Sequence, residues 1–232
     1  MKVNNIDIRK YGAKQLTADA QPPSMDTNYE WMTGALLPTE FPTEVQMGHL
    51  KLSLYFRGKN RNSIIRQASN LMKNFRGSCD LELDGYRGKY KGYITADDYE
   101  KMRSGKRYTV NLEFDGFFYD DEINFGLTGK TSATICNIGT RDAPCVVEVY
   151  ARSNLSNYTI KGLSDDEIII EQLGQEKTLI IDGRKGLVTI NGINAFSNVN
   201  MWEFPRLKVG DNAVLLSSDI ANVSVKYMPM WI

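Results

Sequence analysis

Apolar and polar residues alternate from His49 onward: Leu50, Leu52, Leu54 and Phe56 are separated by Lys51, Ser53 and Tyr55, the period of a strand with one buried face. The period then changes. Ile64, Ile65, Ala68, Leu71, Met72 and Phe75 recur at helical spacing behind the cap candidates Asn60, Asn62 and Ser63, with Gly77 as a stop, which predicts a helix over about residues 61–75. Strands follow at 79–84 and 89–95, joined by a Gly85-Tyr86-Arg87-Gly88 turn, and Tyr108, Val110, Leu112 and Phe114 mark another. One helix on a sheet makes this half α+β. From about residue 131 no helical period remains. Short strands recur at 133–136, 145–150, 158–163, 167–171, 178–182, 187–191, 213–217 and 223–228, with a turn at Asp182-Gly183-Arg184-Lys185-Gly186 and another beginning at Asn191-Gly192. The chain is thus expected to be mainly β with one helix. An N-terminal α+β domain covers 1–128, and a β-sandwich covers 129–232 after a glycine-bearing join at 126–131.

The first forty-odd residues fit neither period. Pro22, Pro23, Pro38 and Pro42 interrupt them, and Tyr29, Trp31, Leu36, Leu37 and Phe41 stand between. The segment is expected to be an irregular arm. Apolar side chains without a sheet or helix face of their own must pack on the body or on another subunit, so these five are the candidate oligomer interface.

Composition narrows the chemistry. Of 232 residues, 42% are hydrophobic and 24% charged, which suits a globular chain, and 28 Lys and Arg balance 28 Asp and Glu. Residues 51–107 depart from that balance, with 14 cations against 6 carboxylates, and Tyr86, Tyr90, Tyr93, Tyr99 and, just past the range, Tyr108 are interleaved with them. That pattern could stack nucleic-acid bases. Arg87, Lys89 and Lys91 equally suit the outward face of a hairpin, and Lys101, Arg103, Lys106 and Arg107 suit a loop, so no specific nucleic-acid partner is expected.

A single histidine, His49, removes His-pair zinc motifs, and no GxSxG elbow accompanies it. Cys79, Cys136 and Cys145 lack CxxC spacing and are read as reduced, inert thiols. Asp97-Asp98, Asp120-Asp121-Glu122 and Asp165-Asp166-Glu167 have no calcium-loop spacing and are read as solvated turns. Neither GxxxxGK[ST] nor GxGxxG occurs. No catalytic residue, cofactor or metal is expected. No apolar run approaches the roughly 20 residues of a membrane-spanning helix, and Met1 to Asp7 has no signal-peptide apolar region, so a chain folded in a cytoplasm is expected.

Two stretches carry a family resemblance. Asn137-Ile138-Gly139-Thr140 with Ala143-Pro144, then Trp202-Glu203-Phe204-Pro205-Arg206-Leu207-Lys208-Val209-Gly210-Asp211-Asn212 and the last strand from Val223, resemble the Asn-x-Gly-Thr…Pro entry and the closing Pro-x-Leu-x-x-Gly-x-Asn turn of the distal tail proteins of long-tailed bacteriophages, the siphophages and prophages related to them. Asn137, Gly139, Thr140, Pro144, Trp202, Pro205, Leu207, Gly210 and Asn212 are the motif positions. The sequence departs at Met230, where members often carry Arg after the proline. The resemblance implies a ring-forming N-terminal domain and a galectin-like C-terminal sandwich. It further implies a hexameric structural ring joining the tail tube to the tail tip or baseplate. Partners implied are the tail tube protein, the tape measure protein, a tail-tip or tail-associated lysin protein and receptor-binding proteins, in a virion assembled in the host cytoplasm. Its alternative is a carbohydrate-binding sandwich that contacts the host surface. Galectin-type sites use His, Asn, Arg and Trp on one face, whereas this half has no His, and Trp202 and Trp231 are read as structural.

Overall fold

The structure, a computed structural model, describes residues 1–26, 28–41, 44–100 and 106–231. It divides into two units, Met1–Tyr119 and Asp120–Trp231. The division falls nine residues before the expected join because Ile123–Gly126 is a strand hydrogen-bonded to Ala221–Tyr227, which ties it to the second unit.

The first unit is one antiparallel sheet with a helix on one face. Its strands run in the order Ile6–Asp7, Lys2–Val3, Ser78–Glu82, Lys89–Glu100, Arg107–Tyr119, Gly48–Arg57 and Ala13–Gln21. Leu50, Leu52, Leu54 and Phe56 pair across to Phe114, Leu112, Val110 and Tyr108, so matching apolar sets share the inner face. Onto that face packs helix α1 (Arg61–Met72), followed by a 3-10 turn Lys73–Phe75. Asn60 caps it: its side chain accepts from Ser63 N at 2.9 Å while the Ser63 hydroxyl accepts from Asn60 N at 3.2 Å. Ile64, Ala68, Leu71 and Phe75 are buried, and the Phe75 ring lies 5.5 Å from that of Phe114. Burying each large aliphatic side chain contributes about 1.5–3 kcal/mol. Ile65, counted with the apolar stripe in the sequence, is instead exposed on the outer face of α1.

Three glycines in register, Gly92, Gly116 and Gly48, cross the middle of the sheet. A Cβ on Gly116 would stand 2.0 Å from the Lys91 carbonyl oxygen, so only glycine allows this approach. The space above Gly92 is filled by the buried ring of Tyr90, whose hydroxyl donates to Gly48 O at 3.0 Å. Desolvation lifts the Tyr90 phenol above its ordinary range.

The expected irregular start corrects to regular structure. Ala13–Gln21 is a nine-residue edge strand, secured where Tyr86 Oη donates to Ala18 O and accepts from Ala20 N. The Pro22-Pro23 pair lies just past its end, which is why the prolines did not prevent it. Asp97-Asp98 is likewise no turn but part of the strand Lys89–Glu100, which bulges between Ile94 and Ala96, and Arg107 opens the next strand. Lys101 and Arg103 lie outside the described residues.

The second unit is a sandwich of two antiparallel sheets around one core. One runs Ile123–Gly126, Ala221–Tyr227, Ala143–Ala151, Thr178–Asp182, Leu187–Ile190, Ile193–Asn194; the other runs Ser132–Asn137, Gly210–Leu216, Leu155–Lys161, Ile168–Leu173, Val199–Asn200. Strict alternation along Ala143–Ala151 and Ala221–Tyr227 places Val147, Val149, Val223 and Val225 inside.

Replacing Gly116→Ala should cost about 1–3 kcal/mol through forced displacement of the Lys91 carbonyl, read as a lowered midpoint in denaturant unfolding. An unchanged midpoint would show that the sheet yields there freely.

Candidate assembly surfaces

Beyond Pro23 the chain leaves the sheet and returns at Gly48. Two antiparallel rungs hold the excursion together: Met25 pairs with Val45 and Asp26 with Glu44, then Tyr29 with Glu40 and Glu30 with Thr39. Bonds from Gln46 N to Ser24 O (3.1 Å) and from Phe41 N to Asn28 O (2.9 Å) continue the ladder. The arm is therefore a hairpin-like ladder rather than irregular coil. Pro38 sits at its tip, beside a rung rather than in one; Pro42 lies outside the described residues.

All five predicted interface residues are on this arm and exposed: Leu36 at 93%, Leu37 at 79%, Tyr29 at 66%, Trp31 at 60% and Phe41 at 48%. Met25, Met32 and Met47 join them, a set that the sequence signalled only through the absence of a second apolar face. So many large apolar side chains on one segment mark an interaction surface.

The motif residues of the second unit form a separate arrangement. Asn137 and Asn212 are the buried polar side chains among the described residues, and both bind loop backbone. Asn137 Nδ2 donates to Arg141 O (2.9 Å) and Leu207 O (3.2 Å), and its Oδ1 accepts from Gly139 N (3.0 Å). Asn212 Oδ1 accepts from Lys208 N (2.9 Å), and its Nδ2 faces the carbonyls of Lys208 (2.8 Å) and Gly210 (2.9 Å). Gly210 holds φ at 84°, Leu207 is fully buried, and Pro205 O accepts from Cys145 N at 3.0 Å. Pro144 pairs with Arg206. Thr140 N donates to Met230 O at 2.9 Å, and Gly139 is so close to Met230 that a Cβ would lie 2.5 Å from its oxygen. At Met230 the backbone makes these contacts, so the departure from Arg leaves them intact. These residues build the loop; they present no ligand-facing group.

The tryptophans divide. Trp231 donates from Nε1 to Asp120 Oδ2 at 3.1 Å, whereas Trp202 is 88% exposed and does not pack into the sandwich core.

Other candidates find ordinary partners. His49 lies on the outer sheet face with Nδ1 2.9 Å from Asp115 and Nε2 3.5 Å from Glu113. The tyrosines form no common stacking face: Tyr90 is buried, Tyr86 stacks on Phe118 at 5.4 Å, and the side chain of Tyr99 lies outside the described set. Glu122 pairs with Arg184 at 2.6 Å, and Asp165, held below the usual carboxylate range chiefly by Lys208, pairs with it at 2.7 Å and with Arg206 at 3.0 Å. Among the described residues no group of three or more His, Cys, Asp or Glu could hold a metal, and no helix is long and apolar enough to cross a membrane.

With this geometry in place, comparison with known proteins defines the class. Residues 138–231, most of the second unit, match the family described as siphovirus-type tail component, C-terminal domain. Over its whole length the chain has the fold of the SPP1 phage Dit protein, whose structure is described as a paradigm of the hub adsorption apparatus in phages infecting Gram-positive bacteria. The TM-score is 0.77 at 10% identity, covering 99% of this chain and 98% of that one. A chain of the phage P2 baseplate in its activated conformation with Ca is similar at TM-score 0.51 and 8% identity, covering 95% of this chain and 92% of that one. No curated protein sequence matches. The resemblance read from the residues thus holds: the second unit matches a siphophage tail component domain, and the chain has the fold of a phage hub protein.

Removing the buried amide by Asn212→Ala should destabilise the second unit by about 1–3 kcal/mol, because the loop amide and carbonyls lose their partner away from water; thermal unfolding measures it. Thiol chemistry gives an independent check. Burial pushes Cys79 up to about 11 and Cys145 up to about 12, while Cys136 is exposed and raised by the neighbouring Asp211. Ellman titration of the folded chain should therefore count one reactive thiol, and three after denaturation.

Proposed function

We propose that this chain is a structural hub of a siphophage tail, a homohexameric ring that joins the tail tube to the tail tip or baseplate and seats the proteins assembled there. The observation that carries the reading is the apolar arm on a full-length hub fold: an arm of this kind needs a neighbouring subunit, and a ring supplies one to every copy. The unit Met1–Tyr119 forms the ring. Tail tube, tape measure, tail-tip or lysin and receptor-binding proteins are its neighbours at the virion tail tip, after assembly in the host cytoplasm. The role is architectural, with no reaction catalysed and no cofactor.

Trp202 favours a second role for the sandwich, since an exposed indole offers a flat apolar face to a sugar ring. Titrating cell-wall glycan into the protein should then quench tryptophan fluorescence, and Trp202→Ala should abolish the response; no response in the parent chain excludes this role.

The main test uses excision of the arm. Gln46 N reaches Ser24 O, so residues 25–45 can be replaced by a short glycine linker without straining the sheet. The shortened chain should keep its circular dichroism and lose all rings in negative-stain images, with the full chain as control. Rings of unchanged size without the arm would contradict the assignment.

A further inference from the structure

The arm and the helix carry opposite charge. Residues 22–47 contain Asp26, Glu30, Glu40 and Glu44 and not one Lys or Arg. Residues 57–79 contain Arg57, Lys59, Arg61, Arg66, Lys73 and Arg76 and not one Asp or Glu. A chain whose totals cancel has therefore separated its charges into two blocks within one unit. All six cations are exposed, and among the described residues none is ion-paired; Glu30 and Glu40 are exposed and unpaired as well. Arg61 and Arg66 are on α1 itself, one turn before and directly after Ile65, which is 51% exposed and left out of the core; Arg57 and Lys59 lie just before the helix, Lys73 and Arg76 just after it. Beside the start of the helix a groove lies between Arg57, Lys59, Ser63, Gln67 and Lys106.

An exposed apolar residue on a helix that carries unpaired cations is complementary to an apolar arm that carries unpaired carboxylates. We infer that the outer face of α1 is the docking surface for the arm of a neighbouring copy, a heterologous head-to-tail contact centred on Ile65 with Arg61 and Arg66 facing Glu30 and Glu40. The inference rests on the ring reading and adds the acceptor that reading leaves unnamed. Because donor and acceptor are different patches on one chain, the contact propagates from copy to copy and closes into a ring rather than stopping at a dimer. Charge sets orientation and register, while Trp31, Leu36 and Leu37 supply the apolar area. An arm of uniform negative sign also repels a second arm, which works against arm-to-arm dimers.

The test reverses each patch in the full chain. One variant carries Glu30→Lys and Glu40→Lys; the other carries Arg61→Glu and Arg66→Glu, changes that place acidic groups toward the helix N-terminus and so preserve the helix. Light scattering over a concentration series should find each variant alone at least about ten-fold weaker in half-assembly than the parent chain, since each meets like charge. An equimolar mixture should assemble, because every contact in an alternating ring is again opposite in sign. The parent should also assemble less well at 0.5 M than at 0.05 M salt, as screening shortens to a few ångströms.

Assembly of the helix variant at the parent's concentration, or a mixture that stays monomeric while both variants keep the parent's circular dichroism, overturns the docking surface and leaves the ring reading standing. A parent chain that is monomeric throughout overturns the ring reading itself, and the docking surface with it. Duplex DNA bound by the parent and lost in the helix variant, with assembly unchanged, assigns the basic face to nucleic acid instead.

Discussion

Leu36, Leu37, Trp31, Tyr29 and Phe41 stand in water on a ladder of two short rungs, and nothing in that ladder has a second layer to bury them. Two-stranded ladders are marginal in water unless a third element covers them. On the proposed reading, the cost of this exposure is recovered by assembly. The sheet is closed on one face by α1, which takes Ile64, Ala68 and Leu71, and leaves the opposite side of the helix polar and basic around Ile65. The excursion starts and ends in neighbouring strands: Gln21 at the end of one is opposite His49 at the start of the other. An arm anchored at both ends in this way can be presented without loosening the sheet.

The second unit solves a different problem with different means. A sandwich of short strands needs long connections, and a loop such as residues 205–212 carries backbone groups into places that water does not reach. Asn137 and Asn212, on adjacent paired strands, supply donors and acceptors to that backbone from within the core. Asparagine offers two amide donors and a carbonyl acceptor in one short side chain, enough to hold several loop groups at once. That is the physical content of the motif through which the domain resembles its family: the positions preserve a loop, not a ligand site. Trp202 is the exception, a motif position exposed at the surface.

Much of this was legible in the residues. Period-two runs located the inner faces of strands 48–57 and 107–119, and the helical run behind Asn60 located the start of α1 and, at residue 75, the end of the 3-10 turn that continues it rather than the end of α1 at Met72. The legible part was wherever one face is buried against the same unit. Ile65 shows the limit, since a helical pattern counts apolar residues without knowing how wide the covered face is. The arm shows another: prolines at 22, 23 and 38 punctuate a ladder at its junctions, and punctuation alone reads the same in coil. The strand Ile123–Gly126 was missed because its pairing partner lies about a hundred residues away, and no local period reports such a register. Asn137 and Asn212 were noticed as motif positions, but their burial depends on where the loop folds back.

The account stands or falls on whether the exposed arm joins copies of the chain into a closed ring. Sedimentation velocity of the full-length protein across a wide concentration range measures this most directly. The ring account predicts a discrete species at six times the 26.3 kDa chain mass, in exchange with monomer and with no continuous series of larger aggregates. A single 26.3 kDa species at every concentration, or an open-ended ladder of sizes, would contradict it.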